Sequence, residues 1–197
     1  AGIDVGHYFG LWDASRREAE VLVGHQLTLE LEPGRYLVAV SAVLLAEVRA
    51  VKNAGMNRFV LVDAGFNELM RPAMYGSFHA MTLLPSDGVA RPVRETVVAG
   101  PLCESGDVFT QAAGGEVLTR ELPEARVGDL LVIHDAGAYG ASMSSNYNSR
   151  PRAADAPRPG RKTRPAAPTR RHRWSSRIHW ASPTRCASAF RSATFIL

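Results

Sequence analysis

Val43-Leu44-Leu45-Ala46-Glu47-Val48 decides the fold, because it opens a series of short apolar runs separated by turn residues. Phe59-Val60-Leu61-Val62, Met81-Thr82-Leu83-Leu84, Glu95-Thr96-Val97-Val98, Glu116-Val117-Leu118-Thr119 and Leu130-Leu131-Val132-Ile133 follow it. Each is too short for an average helix and of ordinary length for a strand. Asn57, Asp63-Ala64-Gly65, Ser86-Asp87-Gly88, Gly114-Gly115 and Gly128-Asp129 punctuate them, supplying residues that accept tight backbone turns. The density of strands predicts a mostly antiparallel β-sandwich or small barrel, with the pattern turning β from Tyr36 onward. Asn67-Glu68-Leu69-Met70-Arg71 and residues 138–145 read as short helical turns between strands.

Upstream the period changes. Tyr8, Leu11, Trp12, Ser15, Ala19 and Leu22 recur near helical spacing, with Arg16, Arg17 and Glu18 on the other face. Gly24 is placed to stop that helix, since glycine accepts the left-handed backbone after a last turn. Leu27-Thr28-Leu29-Glu30-Leu31 alternates as a short strand. Helix, turn, strand and then a loop is the repeating unit of an α/β barrel, whose sites sit at the carboxyl ends of strands. The expected fold class is therefore α+β: one helix–strand unit of such a barrel, then the β domain.

Charge marks a further boundary. Hydrophobic residues make up 46% of the chain, an ordinary share for a globular protein, so hydropathy alone marks none. Residues 151–197 hold ten Arg, Lys162 and a single acid, Asp155, with six of the twelve prolines. Such a stretch reads as a disordered basic tail, as a nucleic-acid arm, or as the product of a shifted reading frame in GC-rich coding sequence, which is the favoured reading. Strand signals stop at Pro151. The expected domains are 1–38, 39–150 and 151–197. No apolar run approaches the roughly 20 residues needed to span a bilayer. Two cysteines do not make a disulfide framework, which suits a reducing, cytoplasmic compartment. The chain starts at Ala1 without a leader pattern, which suggests that it begins inside a longer one.

Four segments carry residues suited to chemistry. In Gly100-Pro101-Leu102-Cys103-Glu104-Ser105-Gly106-Asp107 a thiol and a carboxylate stand side by side between glycine turns. A lone cysteine is ordinarily a small buried hydrophobe, but these neighbours indicate a loop. A loop thiol can act as a general acid. Glu32-Pro33-Gly34-Arg35 follows the predicted strand and offers a planar guanidinium fork suited to phosphate or carboxylate, or else a plain edge turn. Arg71 and Tyr75 stand four apart, so on one helical turn they face the same way. Together they could bind a carboxylate, or mark a surface turn. Tyr139, in Asp135-Ala136-Gly137-Ala138-Tyr139-Gly140-Ala141, sits between glycines, free to line a site or to plug the sheet's end. His7, His25, His79 and His134 show no metal-ligand spacing.

These segments, in this order over roughly residues 7–151, resemble the carboxy-terminal half of the diaminopimelate decarboxylase family; Leu69-Met70-Arg71-Pro72-Ala73-Met74-Tyr75-Gly76 is nearly continuous with its pattern. The resemblance implies a homodimeric lyase of lysine biosynthesis that uses pyridoxal phosphate to convert meso-diaminopimelate to lysine and carbon dioxide. It implies that residues 1–38 are the last piece of the coenzyme-binding barrel. Glu32, Pro33, Gly34, Arg35 and Tyr139 would contact the coenzyme. Arg35, Arg71, Tyr75, Glu104 and Tyr139 would hold substrate. Cys103 would be the proton donor, acting in the opposite subunit's site. Met143-Ser144-Ser145-Asn146-Tyr147-Asn148 also matches, with no contact assigned to it. Val40-Ser41-Ala42 departs from the acid and glycine common there, and Cys186 inherits no role.

Pyridoxal phosphate chemistry also needs a lysine. Lys52 and Lys162 are the only ones, and neither stands in a matching motif. The chain is therefore expected to carry half of a site and to be inactive by itself. The competing reading is a non-enzymatic β domain whose basic tail binds a partner or nucleic acid.

Overall fold

The computed structural model describes residues 3–155 and the backbone of 177–179. The chain divides into two compact units at Pro33/Gly34.

The first unit is built on helix α1, Val5–Val23. Asp4 caps it by accepting from the His7 N–H at 3.0 Å, and Gly24 ends it at φ 74°, its own N–H donating to the Glu20 carbonyl. The predicted helix and its glycine stop are both present. The predicted strand Leu27–Leu31 is not: these residues are irregular and join no ladder among the described residues. The Leu27 N–H goes instead to the Glu20 carboxylate at 2.7 Å. Alternation alone does not make a strand; a neighbouring backbone must pair with it.

The second unit is a mixed, mostly antiparallel sheet. After α2 (Gly34–Val38) and a 3-10 turn at Ala39–Ser41 come β1 (Val43–Ala54), β2 (Asn57–Val62), α3 (Arg71–Tyr75), β3 (Met81–Leu84), β4 (Val93–Ala99), β5 (Arg120–Pro123) and β6 (Leu130–Ile133). Two short strands, β7 (Ala154–Asp155) and β8 (Arg177–His179), complete it. The strand path is β3-β6-β1-β2-β4-β5, with β8 on β1 and β7 on β8. Its ends, β3 and β5, come back into contact, so the sheet nearly closes into a barrel. Among the described residues, β2–β4 and β7–β8 are the parallel pairs.

β1 organises this arrangement. Leu44–Glu47 pair with β6, while Val48–Ala54 pair with β2. A register shift between Val48 and Ala50 marks the changeover. Such a bulge bends and twists the strand that bears it, which lets one strand serve two parts of a curving sheet. Ala42, Leu44, Ala46 and Val48 alternate into the core, against Val60, Val62, Leu131 and Ile133. Each buried aliphatic side chain contributes about 1.5–3 kcal/mol.

Four expectations need correction. Tyr36, Leu37 and Val38 are helical rather than β; they stay exposed, so no sheet face recruits them. Glu116–Thr119 forms no strand, only a bridge at Val117, because it folds back over the Gly114-Gly115 turn onto Gln111. The first hairpin turns at Gly55 (φ 59°) rather than at Asn57, which already belongs to β2. Strands also continue past Pro151 in β7 and β8, since β1's edge recruits backbone through main-chain hydrogen bonds whatever the side chains. The remaining tail, with Lys162, Arg170, Cys186 and its expected basic-arm or disordered character, lies outside the described residues.

An ionic knot pins the far loops. The Asp129 carboxylate is fully buried and takes Arg91, which also pairs with Asp87. Burial pushes the Asp129 carboxyl up, but Arg91 and the N–H groups of Ser86 and Arg126 outweigh it and hold it at about 2. A depressed carboxyl contributes stability above its unfolded value of 3.8, and that contribution is lost as pH falls through about 2. Asp129→Asn is expected to cost about 2–3 kcal/mol at neutral pH and to flatten the acid limb of thermal stability in that window; calorimetry against pH measures both.

Candidate active site

Three chain segments meet beside the start of β1. The Gly137 N–H donates to the Ala39 carbonyl at 2.9 Å, and the Ala136 N–H to the Ala42 carbonyl at 2.9 Å. A Cβ on Gly137 would lie 2.0 Å from the Val38 carbonyl oxygen, so only glycine permits this approach. The contact leaves a cleft of about 340 Å³, lined by Arg35, Leu37 and Val38 on one side and by Gly137, Tyr139 and Ser142 on the other.

Tyr139 stands at this cleft with φ 64°, a left-handed backbone that is costly for a residue with a Cβ. The Arg71 guanidinium lies over its ring, 4.8 Å from the centroid, and 5.1 Å from the centroid of Tyr75. Arg71 and Tyr75 open and close α3, so the four-residue spacing does bring them to one face. Pro72 sits in the helix's first turn, and Gly76 caps it at φ 62°. A Cβ on Gly76 would strike the Ala113 backbone at 2.0 Å.

His79 is buried behind this group. Its Nδ1–H donates to the His134 carbonyl at 2.8 Å. Burial lowers its pKa; the His134 carbonyl and Asp135 oppose this, while the positive charges of Arg71 and Arg35 add to it. A neutral imidazole is the state this surrounding favours.

Cys103 and Glu104 form a second cluster. Both are exposed on the loop after β4, and Cys103 is a free thiol. Glu104 Oε1 accepts from Ser105 Oγ at 3.1 Å and from the Gly106 N–H at 3.2 Å, and Oε2 accepts from the Tyr147 phenol at 3.2 Å. Gly106 first, then Ser105 and Tyr147, hold the Glu104 carboxyl below its ordinary value. Among the described residues, no hydrogen bond, ion pair or ring contact joins Cys103 or Glu104 to Arg35, Arg71, Tyr75 or Tyr139.

Asp107 shapes the second loop from beneath. Its buried carboxylate accepts the N–H groups of Phe66 and Leu102, each at 2.7 Å. Burial raises its pKa against those two hydrogen bonds and Arg150. Gly100 lies so close that a Cβ would sit 2.3 Å from an Asp107 oxygen. The sequence motif ended on Asp107 without giving it a role. Tyr147 likewise has no contact assigned by the motifs, since its reach to Glu104 across 43 positions is visible only in three dimensions.

The donor set suits one side of pyridoxal phosphate. Arg35 offers a guanidinium fork to a phosphate or carboxylate, and the Tyr139 phenol lies at the same cleft. Glu32 and Pro33 belong to the first unit. The one lysine among the described residues does not adjoin the cleft: Lys52 lies over the Phe59 ring near the hairpin end of β1, roughly 30 Å along the strand from Val43. The described residues fit the coenzyme's non-covalent contacts and not its covalent attachment.

The family model described as "Pyridoxal-dependent decarboxylase, C-terminal sheet domain" matches residues 35–137. The diaminopimelate decarboxylase of Escherichia coli K12 is 63% identical over 152 residues, covering 76% of this chain and 36% of the relative. That of Streptomyces coelicolor is 64% identical over 151 residues, covering 76% and 34%. The chain thus spans about a third of the length of these curated relatives. A crystal structure of diaminopimelate decarboxylase superposes with TM-score 0.67 at 62% identity, over 77% of this chain and 37% of that one. The Helicobacter pylori enzyme complexed with L-lysine gives 0.56 at 39%, over 72% and 33%.

Asp107→Ala is expected to leave the buried Phe66 N–H and the half-buried Leu102 N–H without their partner and to cost about 2–4 kcal/mol. Urea denaturation reads the loss. Hydrogen exchange should show it concentrated at Phe66 and Leu102 rather than spread over β1.

Proposed function

This chain belongs to the pyridoxal-dependent decarboxylases, and from that premise we propose that it is the substrate-recognising part of a cytoplasmic enzyme that converts meso-diaminopimelate to L-lysine and carbon dioxide. The observation that carries the proposal is the Arg71 guanidinium lying against the rings of Tyr75 and Tyr139 beside the Arg35 cleft. Diaminopimelate carries an amino group and a carboxylate at each end. The end away from the reaction needs a cation for its carboxylate and an anion for its ammonium. Arg71 supplies the first, with the Tyr75 hydroxyl as a further donor, and Glu104 the second. A diamine precursor without the second carboxylate would leave a guanidinium unpaired and is disfavoured on that ground.

Arg35 and Tyr139 would hold the coenzyme and the near end of the substrate. When bound, the coenzyme supplies an electron-withdrawing ring that takes up the electrons released as carbon dioxide leaves. Cys103 Sγ–H would return a proton to the carbon so exposed. Cys103 and Glu104 make no contact with Arg71 or Tyr139 within one chain, so we assign them to the site of a second copy, in a homodimer. Residues 1–38 are read as the last piece of the coenzyme barrel, and 39–150 as the β domain with its loops. The placement of Lys52 leaves the described residues without a covalent anchor for the coenzyme.

The chain alone, with pyridoxal phosphate and meso-diaminopimelate, should release no carbon dioxide above background. Co-expression with the barrel part of the Escherichia coli relative should restore release. In that complex Arg71→Ala should lower kcat/KM about 10–100-fold, the worth of a lost charge-assisted hydrogen bond. Turnover by the chain alone would refute the half-site reading, and an Arg71→Ala variant as active as the parent would refute the substrate assignment.

A further inference from the structure

Tyr147 lies outside the residues that the motifs assign, yet its phenol reaches into them. Its O–H donates to Glu104 Oε2 at 3.2 Å, and its ring packs on Phe66 with centroids 4.8 Å apart. The Phe66 N–H in turn donates to Asp107. The tyrosine therefore touches the 100–107 loop at its outer carboxylate and rests on the residue that anchors the loop's buried end.

Tyr147 is itself held in place. The Ser145 N–H donates to the Asn67 carbonyl at 2.8 Å, and the Arg150 guanidinium to the Asp63 carbonyl at 2.8 Å. Between these ties the chain doubles back, with Asn148 and Ser149 at φ 54° and 57°. The segment is a strap fastened at both ends, with one aromatic side chain aimed at the loop.

We infer that Tyr147 is a positioning residue, which fixes the Glu104 carboxylate and with it the arc from Cys103 to Gly106. The inference rests on the reading above only for what Glu104 meets, an ammonium group. An exposed glutamate on a loop otherwise samples many rotamers, and binding must freeze them. Three donors on one carboxylate remove that freedom beforehand. A phenol suits the task because it is neutral: it orients the carboxylate and leaves its negative charge for the ligand, where a lysine would cancel it. The interaction is reciprocal, since the Glu104 hydrogen bond and charge, with Cys103 close by, raise the Tyr147 phenol above its ordinary value.

Paired titrations of the full chain test this. In Tyr147→Phe, which keeps the ring on Phe66, the Glu104 carboxyl followed by carbon-13 NMR should titrate at higher pH than in the parent. In Glu104→Gln, the Tyr147 phenol followed by ultraviolet absorbance or NMR should titrate lower. Melting temperatures should change little, separating positioning from packing. If either group titrates as in the parent, the inference is overturned. Both readouts are independent of decarboxylation, so a failed activity assay sinks the functional reading and leaves this one to its own result.

Discussion

The bulge in β1 is the constraint on which the second unit depends. A strand with one partner set along its whole length builds a flat ribbon. Here Leu44–Glu47 serve β6 and Val48–Ala54 serve β2, and the changeover falls where register slips between Val48 and Ala50. Main-chain hydrogen bonds surround the slip: the Val48 N–H goes to the Asp129 carbonyl, and the Asp63 N–H to the Glu47 carbonyl. The Asp63 carboxylate adds a bond to the Glu47 N–H at 2.8 Å. At the slip Val48 is β-branched and buried while Arg49 stays exposed, so the strand bends around an outward side chain. The near-closure of the sheet, and the gathering of its loops, follow from that bend.

The polar clusters occupy what the bend leaves at the sheet's margins. The cleft sits where β1 begins and β6 ends, with glycine at position 137 because two backbones touch there. The Cys103 loop leaves the end of β4, whose residues 96–99 are buried on both faces. A strand packed on both sides is a rigid support, and the loop it carries can hold a thiol and a carboxylate outward with little slack. The same division appears in the charges. Asp107 is buried beneath the loop, where its two amide partners offset only part of its lost hydration, whereas Glu104 is in water, where three donors depress its pKa.

Much of this was legible in the sequence because the relevant signals are local. Val43–Val48, Phe59–Val62, Met81–Leu84, Glu95–Val98 and Leu130–Ile133 all fall within strands, since short apolar runs between turn residues have few alternatives. The α1 stop at Gly24 and the shared face of Arg71 and Tyr75 were legible for the same reason. Illegible features depended on partners. Leu27–Leu31 has strand composition and pairs with no strand among the described residues. Glu116–Thr119 has it too, but two adjacent glycines fold it back at once. The β7–β8 pair depends on β1's open edge rather than on its own residues. Tyr147 carried no local mark, because its meaning lies in Glu104, far away in the chain.

The separation of the two clusters has a chemical consequence. A group that binds a distal carboxylate, the role proposed for Arg71, must stay charged and still, and Arg71 does lie against two rings. A group that returns a proton must reach its target after the leaving group has gone, which favours an exposed loop approaching from outside. Placing both on one rigid chain would force the approach and the grip to share a geometry. On the proposed reading the grip would depend on α3 and Tyr139, and the approach on a loop braced by Asp107 and the strap. In the proposed dimer a second copy would bring the thiol to the substrate as one body, with Glu104 already oriented when it arrives.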